Sequence, residues 1–474
     1  MPQHRSLFYC LPMALLGLVL AQSADAALPL SVEQALIKEK VPLDAVSVYV
    51  RPLGTNEITV EHYADRALNP ASTMKLVTTY AALNMLGPAY RWRTEIYREG
   101  DVTNGVLDGN LLIKGYGNPE LMQHDMWRML SDLRQTGLKD IRGDLILDDT
   151  YFSPSLTDAG LFDNEPYRAY NAIPNAVTSN LNSTSFKFFA DGKRAVVQAS
   201  PELPEITMIN DLKLSAGVCG DWRSNLSYKV QNESNRAKVT FSGTYPVSCG
   251  EKYLDLSLFS HPSYTYHLFR QIWQQLGGTI TGGFRLSVVS PVAVKLTEHY
   301  SQPLADVIRR INKYSNNLMT RQLLLTIAAE SVGLPGNEIN GARAIQIWLA
   351  SKGLVFPELV IENGSGLSRI ERISATHLGE VLEHAYYSPV MSELMSSLPM
   401  LSVDGTVMRR LNGSPIQGRA HLKTGSLNEV RSIAGYVLDQ QGRRWVVVFI
   451  VNHPLAGATK SAQDALLDWV YHQP

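Results

Sequence analysis

Between residues 74 and 86 the chain has the composition of a helix with almost no polar face, and Lys75 stands in its first turn. Leu76, Val77, Tyr80, Ala81, Leu83 and Leu86 surround the lysine with apolar side chains, and Gly87-Pro88 ends the stretch. A lysine in such a helix needs a partner, because a buried ammonium without one is costly. The preceding turn, Asn69-Pro70-Ala71-Ser72-Thr73, supplies it. Pro70 fits the first positions of a helix, and residues three apart on a helix are neighbours, so Ser72 and Lys75 share one face. An amine able to take the serine proton, at a helix end that favours negative charge, makes Ser72 a candidate nucleophile. Ser-x-x-Lys alone is a weak pattern, since most such pairs are solvated helix residues, but this is its single occurrence in the sequence.

At 474 residues the chain exceeds one ordinary core, so two or three domains are expected. A formal net charge of -1 leaves no basic field for nucleic acid. Residues 1–26 have the form of a secretory signal peptide: His4 and Arg5, an apolar run over 11–20, and Ala24-Asp25-Ala26 as a small-residue cleavage site. This predicts an exported, periplasmic protein whose mature chain starts near Ala27, with no later segment apolar for long enough to span a bilayer. Cys10 precedes the apolar run, which argues against a lipid-modified cysteine. Cys219 and Cys249 remain. In an oxidising compartment they either close one disulfide, worth about 3 to 4 kcal/mol by loop entropy, or sit as two buried thiols.

A short helix over 32–39 is followed by strands over 45–50 and 57–62, a hairpin leading into the Ser72 turn. From about residue 91 to 289 short strand-like runs, such as 109–114, 143–148 and 237–241, alternate with Gly, Asn and Pro, the texture of one or two β-rich domains. Helical spacing returns over 304–311, 318–329 and 341–349. A second hairpin over 432–438 and 445–451 and a last helix over 461–471 close the chain. Strand pairs at both ends with helices between them imply one α/β domain that the middle block interrupts.

Two further constellations carry chemistry. Ser315-Asn316-Asn317 sits between two helical stretches, where side chains can project into a cleft; equally, such a triplet serves as a helix-capping turn, and a second Ser-x-Asn occurs at Ser426-Leu427-Asn428. Lys423-Thr424-Gly425 lies at the edge of the C-terminal hairpin, offering a cation, a hydroxyl and a glycine that lets a ligand backbone approach; otherwise it is a solvated strand end. Ser-x-x-Lys, Ser-x-Asn and Lys-Thr-Gly in that order are far more specific together than apart.

With this set the sequence resembles the penicillin-recognising serine hydrolases. Leu68-Asn69-Pro70-Ala71-Ser72-Thr73-Met74-Lys75, Asn363-Gly364-Ser365-Gly366-Leu367-Ser368-Arg369, the segment from Leu398 to Thr406, and Lys423-Thr424-Gly425-Ser426-Leu427 narrow the resemblance. They are similar to signatures of the D-alanyl-D-alanine carboxypeptidase/endopeptidase family, the class C low-molecular-mass penicillin-binding proteins. The long gap between Lys75 and Ser315 fits that family's inserted domains, and the resemblance is weakest over 191–252. It departs in Asn316, where Asp is common, and in 163–167, which lacks a clear match to an Asp thought to touch the substrate's diamino-acid side chain.

The resemblance implies an α/β, β-lactamase/transpeptidase-like catalytic domain, an antiparallel sheet flanked by helices, over 27–90 and 288–474. It places an inserted second domain over 91–175 and 254–287 and a β-rich third over 176–253. It implies acylation of Ser72 by peptidoglycan stem peptides ending in D-Ala-D-Ala, or by β-lactam antibiotics, with neutral Lys75 as base and its pKa lowered by desolvation and by Lys423. Ser315 and Asn317 relay the proton, the N–H groups of Ser72 and Ser426 form an oxyanion hole, and Lys423 and Thr424 hold the substrate carboxylate beside Gly425. No metal or cofactor is required. A β-lactamase or esterase on the same fold, and a non-catalytic cell-wall or antibiotic-sensing module, are the competing readings. The first needs fast deacylation, and the second has no need of a nucleophile. An ordinary α/β-hydrolase is disfavoured because the chain has no Gly-x-Ser-x-Gly.

Overall fold

The computed structural model describes residues 27–474 apart from 56, 156, 157 and 234. The expected signal peptide over 1–26 lies outside the described residues, among which no helix is long and apolar enough to cross a membrane.

The two ends of the chain meet in one antiparallel sheet of five strands, ordered Ala420–Leu427, Val430–Leu438, Arg444–Asn452, Val46–Pro52 and Val60–His62. Arg444–Asn452 is an almost unbroken apolar run because helices cover both faces of the sheet. Its side chains still alternate. Trp445, Val447, Phe449 and Val451 pack with the helices Leu30–Lys38 and Lys460–Tyr471. Val446, Val448 and Ile450 join a larger core with Lys75–Met85, Leu304–Tyr314, Asn317–Ser331, Glu338–Ser351 and Ala375–Tyr386. Val77, Tyr80, Ala81 and Leu83 of Lys75–Met85 are all fully buried in that core, which explains the missing polar face.

Residues of the middle block build three further sheets. One has seven strands, with Arg93–Thr103 paired to Val106–Gly115 at its centre. The other two have three strands each and share a core around Phe186, Phe188, Phe241 and Tyr245, beside which Cys219 and Cys249 form a disulfide.

The strand-and-turn reading of this block missed two helices, Gln123–Gln135 and His261–Gln275, whose buried faces pack together in the core of the seven-stranded sheet. Two expected boundaries also cut across pairings. Val294–Tyr300 pairs with Arg93–Thr103 in the seven-stranded sheet, although 288 onward was assigned to the flanking α/β domain. Lys252–Leu256 pairs with Thr184–Ala190, although the expected cut fell at 253/254. Both strands follow loops that carry no boundary signal of their own, so only the partner strand reveals where each belongs.

Candidate active site

Ser72 lies on a 3-10 turn, Ala71–Met74, that runs into the helix Lys75–Met85. Ala71 has φ 45°, a left-handed conformation that costs a residue with a Cβ about 1 to 2 kcal/mol. Hydrogen bonds hold it there. Ala71 N donates to Asn69 Oδ1 at 2.9 Å, and the Asn452 side chain binds both main-chain groups of Asn69, at 2.8 and 3.0 Å. The Pro70 carbonyl accepts from Thr73 Oγ1 at 2.7 Å and from Ser432 Oγ at 2.6 Å. The turn is thereby tied to two strands of the sheet, a device by which strain is kept where it is useful.

Two glycines let other segments reach this turn. A Cβ on Gly425 would stand 2.2 Å from Ser432 Oγ, 2.7 Å from the Pro70 oxygen and 2.9 Å from Ser72 N. Gly366, at φ 80°, would place a Cβ 1.9 Å from the Ala71 oxygen. Only glycine fits at either position.

Lys75 is fully buried, with Nζ 3.0 Å from Ser72 Oγ. Nζ also donates to Asn317 Oδ1 at 2.7 Å and to the Ser365 carbonyl. Those two oxygens can only accept, so the two hydrogens of a neutral amine go to them and its lone pair faces the serine hydroxyl. Burial, then the charges of Lys423 and Arg321, holds the Lys75 pKa well below the ordinary lysine range; Glu371 opposes them.

Ser315 closes the helix Leu304–Tyr314 in a left-handed conformation, φ 58°. Asn316 does cap the next helix, its Oδ1 accepting from Met319 N at 2.9 Å. The middle residue thus serves the turn while Ser315 and Asn317 on either side serve the site. Ser315 Oγ accepts from Lys423 Nζ at 2.8 Å rather than bonding Ser72 or Lys75. Lys423 also donates to the Thr424 carbonyl at 2.7 Å, and burial pushes its pKa down to about 7. Thr424 Oγ1 donates to Thr406 Oγ1 at 2.7 Å, and Ser426 is exposed beyond it on the outermost strand of the sheet. Ser72, Lys75 and Asn317 therefore form one hydrogen-bonded group and Lys423, Ser315 and Thr424 another, with Gly425 packed against the Ser72 turn between them.

The Ser365 carbonyl, Ser432, Glu371 and Arg321 were not legible as site residues. A cleft of about 560 Å³ adjoins the site, lined among others by Asp158, Phe162, Arg321, Asn363, Leu367 and Arg369. The Arg369 guanidinium stacks on Phe162 at 4.6 Å. Asp163 instead turns into its own loop, accepting from Tyr170 Oη at 2.8 Å and Asn171 Nδ2 at 2.7 Å.

The family described as D-Ala-D-Ala carboxypeptidase 3 (S13) matches residues 28–473. The chain belongs to the S13 family. Among curated relatives, the D-alanyl-D-alanine carboxypeptidase DacB of Haemophilus influenzae is 26% identical over 437 residues, 90% of this chain and 89% of its own. The D-alanyl-D-alanine carboxypeptidase of an Actinomadura species is 28% identical over 481 residues, 96% of this chain and 87% of its own. The crystal structure of penicillin binding protein 4 (DacB) from Haemophilus influenzae superposes with a TM-score of 0.77 at 24% identity, covering 93% of this chain and 99% of that one. A predatory endopeptidase of Bdellovibrio bacteriovorus, solved with an immunity protein, superposes at 0.51 with 15% identity, covering 90% and 92%. These structural likenesses show the fold.

Proposed function

We propose that this S13 chain is a serine D-Ala-D-Ala carboxypeptidase, a D,D-endopeptidase, or both, acting on peptidoglycan stem peptides through an acyl-enzyme on Ser72. Lys75 carries the reading, because a fully buried amine with two pure acceptors on its hydrogens presents its lone pair to one hydroxyl, that of Ser72. Ser72 Oγ attacks the carbonyl carbon of the penultimate D-Ala and its proton passes to Lys75 Nζ. The N–H groups of Ser72 and Ser426 receive the oxyanion. The peptide C–N bond then breaks, Lys75 returns the proton to the leaving amine by way of the Ser315 hydroxyl while Asn317 orients the peptide, and water releases the acyl group. The substrate backbone lies along the outer edge of Ala420–Leu427 beyond Leu422, past the part bonded by Pro399 and Leu401, where Lys423 and Thr424 hold its terminal carboxylate. β-Lactams take the same path as far as the acyl-enzyme.

The cleft beside Leu367 fits the side chain of a diamino acid in the stem peptide, with Asp158 for its amine and Arg369 for its carboxylate. Asp158, not the 163–167 segment, is the acidic residue suited to that contact. The helix-covered five-stranded sheet is the catalytic domain, the middle block is an insert in two parts, and the mature enzyme works in the periplasm.

Digestion of purified cross-linked muropeptides, followed by mass analysis, tests the activity. Loss of terminal D-Ala, cleavage of dimers into monomers, or both is the expected result. Muropeptides left intact would overturn the proposal.

A further inference from the structure

Glu371 is fully buried, and one carboxylate oxygen, Oε1, collects three consecutive main-chain N–H groups: Glu362 at 3.2 Å, Asn363 at 3.0 Å and Gly364 at 2.8 Å. Oε2 is also buried and has no hydrogen-bond partner. Burial pushes the Glu371 carboxyl up, while the three N–H groups and the Lys75 charge favour its ionised form, and because a neutral side chain could gather the same loop N–H groups a carboxylate here needs an account. The gathered loop leads straight into the active site. Its Gly364 carbonyl accepts from Thr78 Oγ1 at 2.7 Å, its Ser365 carbonyl accepts from Lys75 Nζ, and its Gly366 lies against the backbone of Ala71 and Ser72.

We infer that Glu371 is a positioning residue for acylation. It fixes the loop so that the Ser365 carbonyl takes one hydrogen of the Lys75 amine and the lone pair stays on Ser72. Its negative charge also stabilises the ammonium formed when Lys75 receives the serine proton. Of the charged groups acting on Lys75 from the surrounding elements, Lys423 and Arg321 disfavour that ammonium and Glu371 favours it. The inference rests on Lys75 being the base.

The test is acylation by benzylpenicillin across pH, with the maximal rate separated from the half-saturating concentration. Glu371→Gln keeps a carbonyl acceptor in the same volume and removes the charge, whereas Glu371→Ala removes both. The maximal rate should fall on the order of 10-fold in the first and 100-fold in the second, with half-saturation within about 3-fold of wild type. The acid limb of the maximal rate should also move to lower pH in Glu371→Gln, because Lys75 gives up its proton more readily without a negative neighbour. A slower reaction with a more acid limb is not what loss of packing alone produces. Glu371→Asp, which keeps the charge, should recover part of the rate with the limb at its wild-type position. Wild-type rate and limb in Glu371→Gln would overturn the inference, as would a change confined to half-saturation. If Glu371→Ala does not fold, the Gln and Asp variants decide. Failure of the wild type to acylate at all would instead refute the proposed function.

Discussion

Lys75 and Lys423 are both fully buried amines, yet their proposed roles need opposite protonation states. Lys75 must be neutral to accept a proton, and burial with the nearby Lys423 charge shifts it in that direction. Lys423 must be charged to hold a carboxylate, and its pKa near 7 means that this charge is lost as the pH rises through that value. The second-order rate of penicillin acylation, which reports the free enzyme, should therefore fall on the alkaline side near pH 7 as Lys423 deprotonates, and on the acid side as Lys75 protonates. Lys423→Ala should lose the alkaline limb and acylate slowly, with partial rescue at higher penicillin concentration. Lys75→Ala should be slower by about two to four orders of magnitude with no such rescue. An alkaline limb that survives Lys423→Ala would contradict the assignment. Ser72, Lys75, Ser315, Asn317 and Lys423 stand out in the sequence as candidates because each belongs to a short local pattern. The Ser365 carbonyl could not, since a main-chain acceptor leaves no side-chain signature. Nor could Glu371, which becomes informative only once its burial is known.

At the scale of elements, the outermost strand Ala420–Leu427 can reach the nucleophile turn only because residue 425 has no Cβ. Gly425→Ala should push that strand away from Pro70 and Ser72. We expect a stability loss of about 1 to 3 kcal/mol from overpacking and at least a 10-fold slower acylation, on the order of what one misplaced reacting segment costs. Thermal unfolding and penicillin acylation measured on the same preparation check both parts, and unchanged values in both would show that the strand is not held so close. The hairpins and the apolar helices of the five-stranded sheet were legible from the sequence pattern, except Ala375–Tyr386, which was missed. Gln123–Gln135 was missed although Met126, Met129, Leu130 and Leu133 stand at helical spacing, because Gly and Pro on either side gave it the look of a loop. His261–Gln275 was not. It is rich in Tyr, Thr and other residues favoured in strands and is buried on more than one face, so packing overrides local preference.

For the molecule as a whole, the sequence leaves the two three-stranded sheets far from the motifs, and their disulfide lies in a core separate from the one that holds the Ser72 helix. Replacing both Cys219 and Cys249 by Ser should cost about 3 to 4 kcal/mol locally and expose residues of that core to protease, while penicillin acylation proceeds at its usual rate. Lost acylation would mean that the sheets support the site directly. The division of the chain was only partly legible, because the strands Lys252–Leu256 and Val294–Tyr300 declare their sheet through partners more than 60 residues away, beyond the reach of local texture. On the proposed mechanism one serine in 474 residues, Ser72, is the acyl acceptor. Intact-mass measurement of the purified protein after incubation with benzylpenicillin, followed by peptide mapping, tests it most directly. One penicilloyl group on the peptide containing Ser72, and none in Ser72→Ala, is the predicted result. An adduct on another residue, or one that persists in Ser72→Ala, would contradict it.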